Sequence, residues 1–303
     1  MNINNNFTPL AWHKGDIELQ SNRATYAFGH IVPLIAHNQT LLPFQIITES
    51  DAVDMSNYNV ALYNLDGTVK VANTGLSLTK AGNFGTVDVI IYNGESLATP
   101  LPMGQYYLVL TSTVDNVTNT WYSDVVTIVS NTLTMTRIEW WDEFDLKFAA
   151  GGIVYKYVGA GLTSQQYKNR MYFLEEIGMP EYTVEEEGDT RDGLFYSSKI
   201  LSGKKYKMQI AQLTETMCDA LRFVHLSDNV TVRDGYGRMY YCDSVLVTPE
   251  WQSGAVASAS VEITTDTFVK QVGGGYTGES PVISGATGII GQGRIGTTFV
   301  INA

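Results

Sequence analysis

From Ala24 to about Val129 the chain is written in short runs of alternating apolar and polar residues. TYAFGHIVPLIA, LLPFQIITES, YNVALYNLDGTVK, TVDVIIYNG, GQYYLVLTSTV and WYSDVVTIV follow one another. Turn dipeptides punctuate them: Asp66-Gly67, Gly82-Asn83, Asn93-Gly94 and Met103-Gly104. A period of two puts alternate side chains on opposite faces of a pleated strand, and a helix has no use for it. Gly, Asn and Asp tolerate the backbone angles of tight turns. The pattern therefore predicts β-strands joined by hairpins, with VALYNLDGTVKVA folding about Asp66-Gly67.

PMGQYYLVLTSTVDNVTNTWYSDVVTIV predicts a second hairpin. Tyr106, Leu108 and Leu110 share one face of its first strand; Tyr107, Val109 and Thr111 share the other. A GxYYLVL strand with a returning WYSDVVTIV resembles the last two strands of an immunoglobulin-like sandwich. No Cys–Trp–Cys core accompanies it, so the resemblance is to a non-antibody version.

Around residues 130–137 the texture changes. RIEWWDEFDLKFAAGGIVYKY is dense in aromatic and acidic residues, and the domain boundary is placed there. Beyond it one helix is predicted, from Thr214 to about Val224. Thr214 suits an N-cap, Glu215 sits in the first turn, and Met217, Leu221 and Val224 recur at helical spacing. NVTVRDGYGRMYYCDSVLV predicts a hairpin with Asp234-Gly235 near its tip, and ASASVEITTDTFVKQV a strand with Val261, Ile263 and Thr265 on one face. The expected fold is mainly β. An extended N-terminal segment (1–23) precedes an immunoglobulin-like β-sandwich (24–130). An antiparallel β-rich domain (137–272) follows, with helix 214–224 packed on it, and a Gly-rich arm (273–303) ends the chain.

That last stretch reads GGGYTGESPVISGATGIIGQGRIGTTFVINA. Only Glu279 and Arg294 are charged, and glycine lets the backbone lie close to another backbone. Apolar beads interrupt it: Tyr276, Val282, Ile283, Ile289, Ile290, Ile295 and Phe299, with Val300 and Ile301 after them. Such a segment suits an assembly arm docking on a neighbouring subunit. Two late strands completing the chain's own sheet are the alternative.

Charge narrows the partners. Thirty-one Asp and Glu against nineteen Lys and Arg give a net charge of −12. Phosphate binding needs clustered cations, so nucleic acid is not an expected partner. MNINNNFTPLAW lacks the basic and apolar regions of a signal peptide, and no apolar run is long enough to span a membrane. Synthesis in the cytoplasm without a signal peptide, and no membrane insertion, are the expectation. Cys218 and Cys242 are read as two buried thiols, without a CxxC spacing.

Motifs for chemistry are sparse. His13, His30, His37 and His225 form no HExxH or HxH, and there is no GxSxG elbow or GxGxxG between strand and helix. Neither a catalytic residue, a metal site nor a cofactor is expected. The carboxylates of EEEGDTRDG crowd one stretch but lack the spacing of a calcium loop. Glu185, Glu186 and Glu187 are read within a solvated acidic loop, Glu185–Asp192, that faces a basic partner surface. Trp140, Trp141, Phe144, Phe148, Tyr155 and Tyr157 read either as interdomain core or subunit contact, or as a sugar-stacking platform. Adjacent Trp residues on a strand point to opposite faces.

EWWDEFDLKF, YKNRMYFLEEIGMPEYTVEEEGDTRDGLFYSSKILSGKKYKMQIAQLTETMCDALRFVHLSDNVTV, LVTPEWQ and ASVEITTDTFVK together resemble virion or prophage structural proteins of tailed phages infecting Bacteroidetes. The resemblance covers roughly residues 137–272 and is one of texture, without an invariant signature. It implies a non-enzymatic part of a tail, neck or baseplate, located in the virion. Copies of the chain and other virion proteins are the implied partners, packed in a ring. A module binding a host-surface glycan or receptor is the alternative function.

Overall fold

The alternating runs pair as antiparallel sheets, and one parallel contact closes an edge. In the computed structural model the residues described are 8–14, 34–47, 54–71, 76–83, 88–94, 96–114, 116–142, 146–150, 153–157, 168–253, 256–271, 289–290 and 293–294. Among the described residues ten strands precede residue 130: β1 (Trp12–Lys14), β2 (Ile35–His37), β3 (Phe44–Ile47), β4 (Tyr58–Asn64), β5 (Val69–Val71), β6 (Thr79–Asn83), β7 (Asp88–Tyr92), β8 (Gly104–Val114), β9 (Val117–Ser123) and β10 (Val126–Val129). One sheet runs β1-β9-β8-β10-β2, with β4 on β8 and β5 on β4; a second runs β3-β7-β6. All these pairs are antiparallel except β10 with β2.

The two sheets share a core because each offers one apolar face. Trp12 on β1 meets Phe44 on β3 edge to face at 5.1 Å, and Phe44 meets Tyr92 on β7 at 5.4 Å. Tyr106, Leu108 and Leu110 are buried as the alternation requires. On the opposite face of β8, Tyr107 stacks on Tyr63 at 5.6 Å and leans toward Tyr122. WYSDVVTIV is not one strand: it breaks at Ser123–Val125 into β9 and β10. There the Ser123 hydroxyl accepts from the Leu108 N–H at 2.8 Å and donates to the Asp124 carbonyl at 2.8 Å. Leu10 and Trp12, read from sequence as part of an extended terminal segment, are core residues on or beside β1.

From residue 136 a different sheet begins. Its strands are β11 (Thr136–Trp141), β14 (Asn169–Phe173), β15 (Glu181–Arg191), β16 (Leu194–Leu213), β17 (Asn229–Arg233), β18 (Met239–Ser253) and β19 (Val256–Gln271). Between the first two lies a separate hairpin, β12 (Leu146–Ala150) with β13 (Ile153–Tyr157). The order is β14-β11-β17-β18-β19-β16-β15, antiparallel throughout. Helix α1 (Glu215–Arg222) follows β16 directly. Thr214 caps it by accepting from the Met217 N–H at 3.2 Å, and Met217, Leu221 and Val224 are buried against the sheet. Val261, Ile263 and Thr265 are buried together on β19. Cys218 and Cys242 are buried and unbridged.

The connection at residues 130–135 packs against the hairpin of β17 and β18. Thr132 and Met135 are buried, and the Arg233 guanidinium donates to the Thr132 carbonyl at 2.8 Å. Gly235 lies so close to this segment that a Cβ would sit 2.6 Å from the Thr134 carbonyl oxygen. Farther along, Arg170 on β14 reaches the Asn93 carbonyl at 3.4 Å.

Of the terminal arm, only a short ribbon is described: β20 (Ile289–Ile290) with β21 (Gly293–Arg294). Tyr276, Val282, Ile283, Ile295 and Phe299 lie outside the described residues.

Candidate functional site

The acidic stretch is not a loop. EYTVEEEGDTR alternates well enough to form a strand once a partner is supplied, and the partner is the lysine-rich LFYSSKILSGKKYKMQIAQL of β16. Their turn is Asp192-Gly193, with φ of +52° and +79°. Both turn residues are left-handed there, as in the tight turns that match strand twist, and Asp and Gly tolerate it. Glu185, Glu186, Glu187 and Asp189 are exposed on β15, whose outer edge pairs with no other strand among the described residues.

Register assigns the faces. Glu181 lies opposite Lys205, Tyr182 opposite Lys204, Val184 opposite Ser202, Glu186 opposite Ile200 and Glu187 opposite Lys199. One face is charged. Both carboxylate oxygens of Glu181 accept from Lys207 at 3.0 Å, and Lys199 reaches Glu187 at 3.4 Å. The hydrogen bond to Glu181 and the carboxylate charge hold the Lys207 ammonium above its ordinary pKa. The other face continues from the core: Ile210, Met208 and Tyr206 are buried, and Lys204, Ser202 and Ile200 follow at the same spacing.

Between residues 181 and 205 no described side chain is buried. Tyr182 (71%), Val184 (65%) and, on β19, Phe268 (69%) are open to water. Leu194 and Phe195 beside the turn are also exposed. A β-ribbon without a packed face is marginal by itself. Here β19 supports β16 from Lys199 to Leu213, and among the described residues nothing covers the exposed apolar side chains on this part or beside the turn.

Two buried carboxylates organise the body of the sheet. Asp234 accepts from the N–H groups of Tyr236 (3.0 Å) and Arg238 (2.9 Å), the Arg238 Nε (2.6 Å) and the Tyr240 hydroxyl (2.9 Å). Burial alone would raise its pKa, but the Arg238, Tyr240 and Tyr236 hydrogen bonds outweigh it and hold the carboxyl low. Burial and the same carboxylate push the Tyr240 phenol up to about 12. Asp142, at the end of β11, accepts from the Asp228 N–H at 2.9 Å. Burial, with the Asp228 charge adding to it, raises its pKa to about 6 against the hydrogen bonds from Asp228 and Ser227. Both aspartates fix loops. Burial also pushes the thiols up, Cys218 to about 11 and Cys242 to about 12, which keeps them as protonated core residues.

The other sequence candidates scatter. Trp140 is wholly buried, while Trp141 on the opposite face is half-buried beneath the Lys168 ammonium at 4.0 Å. Phe148 and Tyr155 pair across β12 and β13, Tyr157 lies opposite Leu146, and Phe144 is outside the described residues. His13 approaches Asp124 at 3.0 Å, and His37 accepts from the Gln39 N–H. His225 is exposed after α1, and His30 is outside the described residues. Among the described residues no three His, Cys, Asp or Glu side chains gather in a way that could hold a metal ion. No helix among them is long and apolar enough to cross a membrane.

Sequence reasoning missed the ribbon. Its signal was the exchange of charge between the two halves of the stretch, glutamates in 181–187 and lysines in 199–207. The chain matches no protein-family model and no curated protein.

Proposed function

We propose that this chain is a structural subunit of a tailed-phage virion, in its tail, neck or baseplate, and that it works by assembly with further copies and other virion proteins. The observation that carries the assembly reading is the ribbon of β15 and β16: no described side chain from 181 to 205 is buried, yet apolar residues continue the core-facing side of the sheet. Contiguous exposed apolar surface marks a contact on a larger body. The virion assignment rests on the resemblance of residues 137–272. The reading assigns the chain no catalytic step and no cofactor.

In this reading residues 24–130 are an immunoglobulin-like domain that holds or decorates the assembly. The strand order supports it. A β3-β7-β6 sheet facing a sheet of β4, β8 and β10 matches the division of such a sandwich. The parallel pairing of β2 with β10 and the Tyr106 hydroxyl, donating to the Pro102 carbonyl four residues upstream at 3.0 Å, add to it. The Gly-rich arm from 273 to 303 then joins neighbours.

Light scattering coupled to size exclusion, followed by negative-stain electron microscopy of the purified chain, tests the reading. Closed multimers or rings are expected. A chain that stays monomeric up to millimolar concentration, and fails to join particles with its virion neighbours, overturns it.

A further inference from the structure

One face of the second sheet gathers cations that the chain itself does not answer. On β11 Ile138 and Trp140 are buried, so Arg137 and Glu139 take the opposite face. Register sets Arg137 directly opposite Arg233 of β17, and Glu139 opposite Arg170 of β14. Like charges directly opposite on one face destabilise a sheet, because their Cβ atoms are only about 4.5–5.5 Å apart. One carboxylate stands among the three guanidinium groups. Glu139 approaches Arg137 at 3.4 Å, with the two side chains 14% and 21% exposed. Arg233 donates to the Thr132 carbonyl and Arg170 to the Asn93 carbonyl, both uncharged acceptors. The Nε atoms of Arg170 and Arg233 are buried with no hydrogen-bond partner. Buried charged donors ordinarily find acceptors, so this face is short of them. Three arginines against one glutamate leave two positive charges, in a chain whose net charge is −12.

We propose that this face binds a tetrahedral dianion of the phosphate or sulfate class, seated between Arg137 and Arg233. The two charges of the ligand match the two in excess. Both arginines are half-buried, so solvent reaches each of them. An oxyanion between them turns a repulsive cross-strand pair into charge-assisted contacts. The planar guanidinium fork suits its oxygens, and partial burial strengthens the attraction. Arg233 also holds the Thr132 carbonyl, so the bound anion reinforces the connection at residues 130–135. The site takes one small anion and not a nucleic-acid backbone, since the acidic remainder of the chain repels a polyanion. It is independent of the assembly reading.

Calorimetric titration of the full chain with inorganic phosphate tests the site, together with melting in phosphate, sulfate and chloride at matched ionic strength. Phosphate and sulfate stabilise proteins generally by exclusion from their surface, so the informative quantity is the difference between the wild type and its variants. The wild type is expected to bind phosphate saturably, and to melt higher in phosphate and in sulfate than in chloride. R137Q removes one arm of the pair and is expected to weaken phosphate binding about tenfold or more. R233Q is expected to do the same; it also loses the Thr132 contact, and if it does not fold, R137Q decides alone. K199Q, on β16, is expected to keep the wild-type response. Phenyl phosphate carries the same dianion on an organic group. Its binding marks a site open to a phosphorylated molecule, and its exclusion beside phosphate binding marks a site for the free ion; both outcomes support the oxyanion class. Absence of saturable phosphate binding to the wild type, or an R137Q variant that binds phosphate as the wild type does, overturns the proposal.

Discussion

Asp142 is the residue whose ionisation works against the fold. Its pKa rises from the ordinary 3.8 to about 6 because burial penalises the charged form and Asp228 adds like charge. A carboxyl whose folded pKa lies above its unfolded value contributes stability that is complete below the unfolded value. That contribution is lost as pH rises through the folded value. Here the window is about pH 4 to 6, and stability from this group falls as pH increases. D142N keeps an oxygen for the Asp228 N–H and cannot ionise. We expect the wild type to gain on the order of 1 kcal/mol relative to D142N on going from about pH 7 to about pH 5, measured by urea denaturation. An identical pH response in both proteins would contradict it. Leu221 makes a simpler case: it is 1% exposed in the packed face of α1. L221A should cost about 2–5 kcal/mol, read as a shift of the denaturation midpoint with constant slope.

Elements differ in how far their sequence speaks for them. Helix α1 was legible because its cap, its acidic first turn and its apolar spacing all lie within eleven residues. The β4–β5 and β17–β18 hairpins were legible for the same local reason. β15 was not. Gly188, Asp189 and the Asp192-Gly193 pair punctuate it as a loop would be punctuated, and its glutamates suggest solvation. What makes it a strand is pairing with β16, where Lys199 and Lys207 answer Glu187 and Glu181. That pairing is a property of two segments together. β1 was missed likewise, because three residues acquire meaning only beside β9. The ribbon's charges also set a prediction at this scale. Replacing Glu185, Glu186 and Glu187 by Gln should weaken self-association at low ionic strength and matter less at high salt. Exposed charges are screened over about 10 Å at 0.1 M. Light scattering across a salt series reads it, and a salt-independent effect would point to packing instead.

On the scale of the whole molecule, the two groups of sheets are tied at a junction rather than strung on a linker. Arg233 binds the Thr132 carbonyl, Arg170 reaches Asn93, and Gly235 touches the backbone at Thr134. The assembly reading proposed above would call for such a junction, because a ribbon and a sandwich in one chain hold neighbours in a fixed relation only if their mutual angle is fixed. Gly235 is the sharpest test of it. A methyl group there would sit 2.6 Å from the Thr134 carbonyl oxygen, and both contact partners are backbone, so neither can rotate away. G235A must therefore push the 130–135 segment off the hairpin that follows β17. Overpacking of this kind costs typically about 1–3 kcal/mol. The expected result is a lower melting temperature together with a broader small-angle scattering profile, from sheets no longer locked at one angle. Tyr206 and Met208 are buried on β16, outside this contact, so circular dichroism of the strands should persist. If G235A leaves both melting and scattering unchanged, the junction is free to adjust and the contact at Thr134 does not lock it.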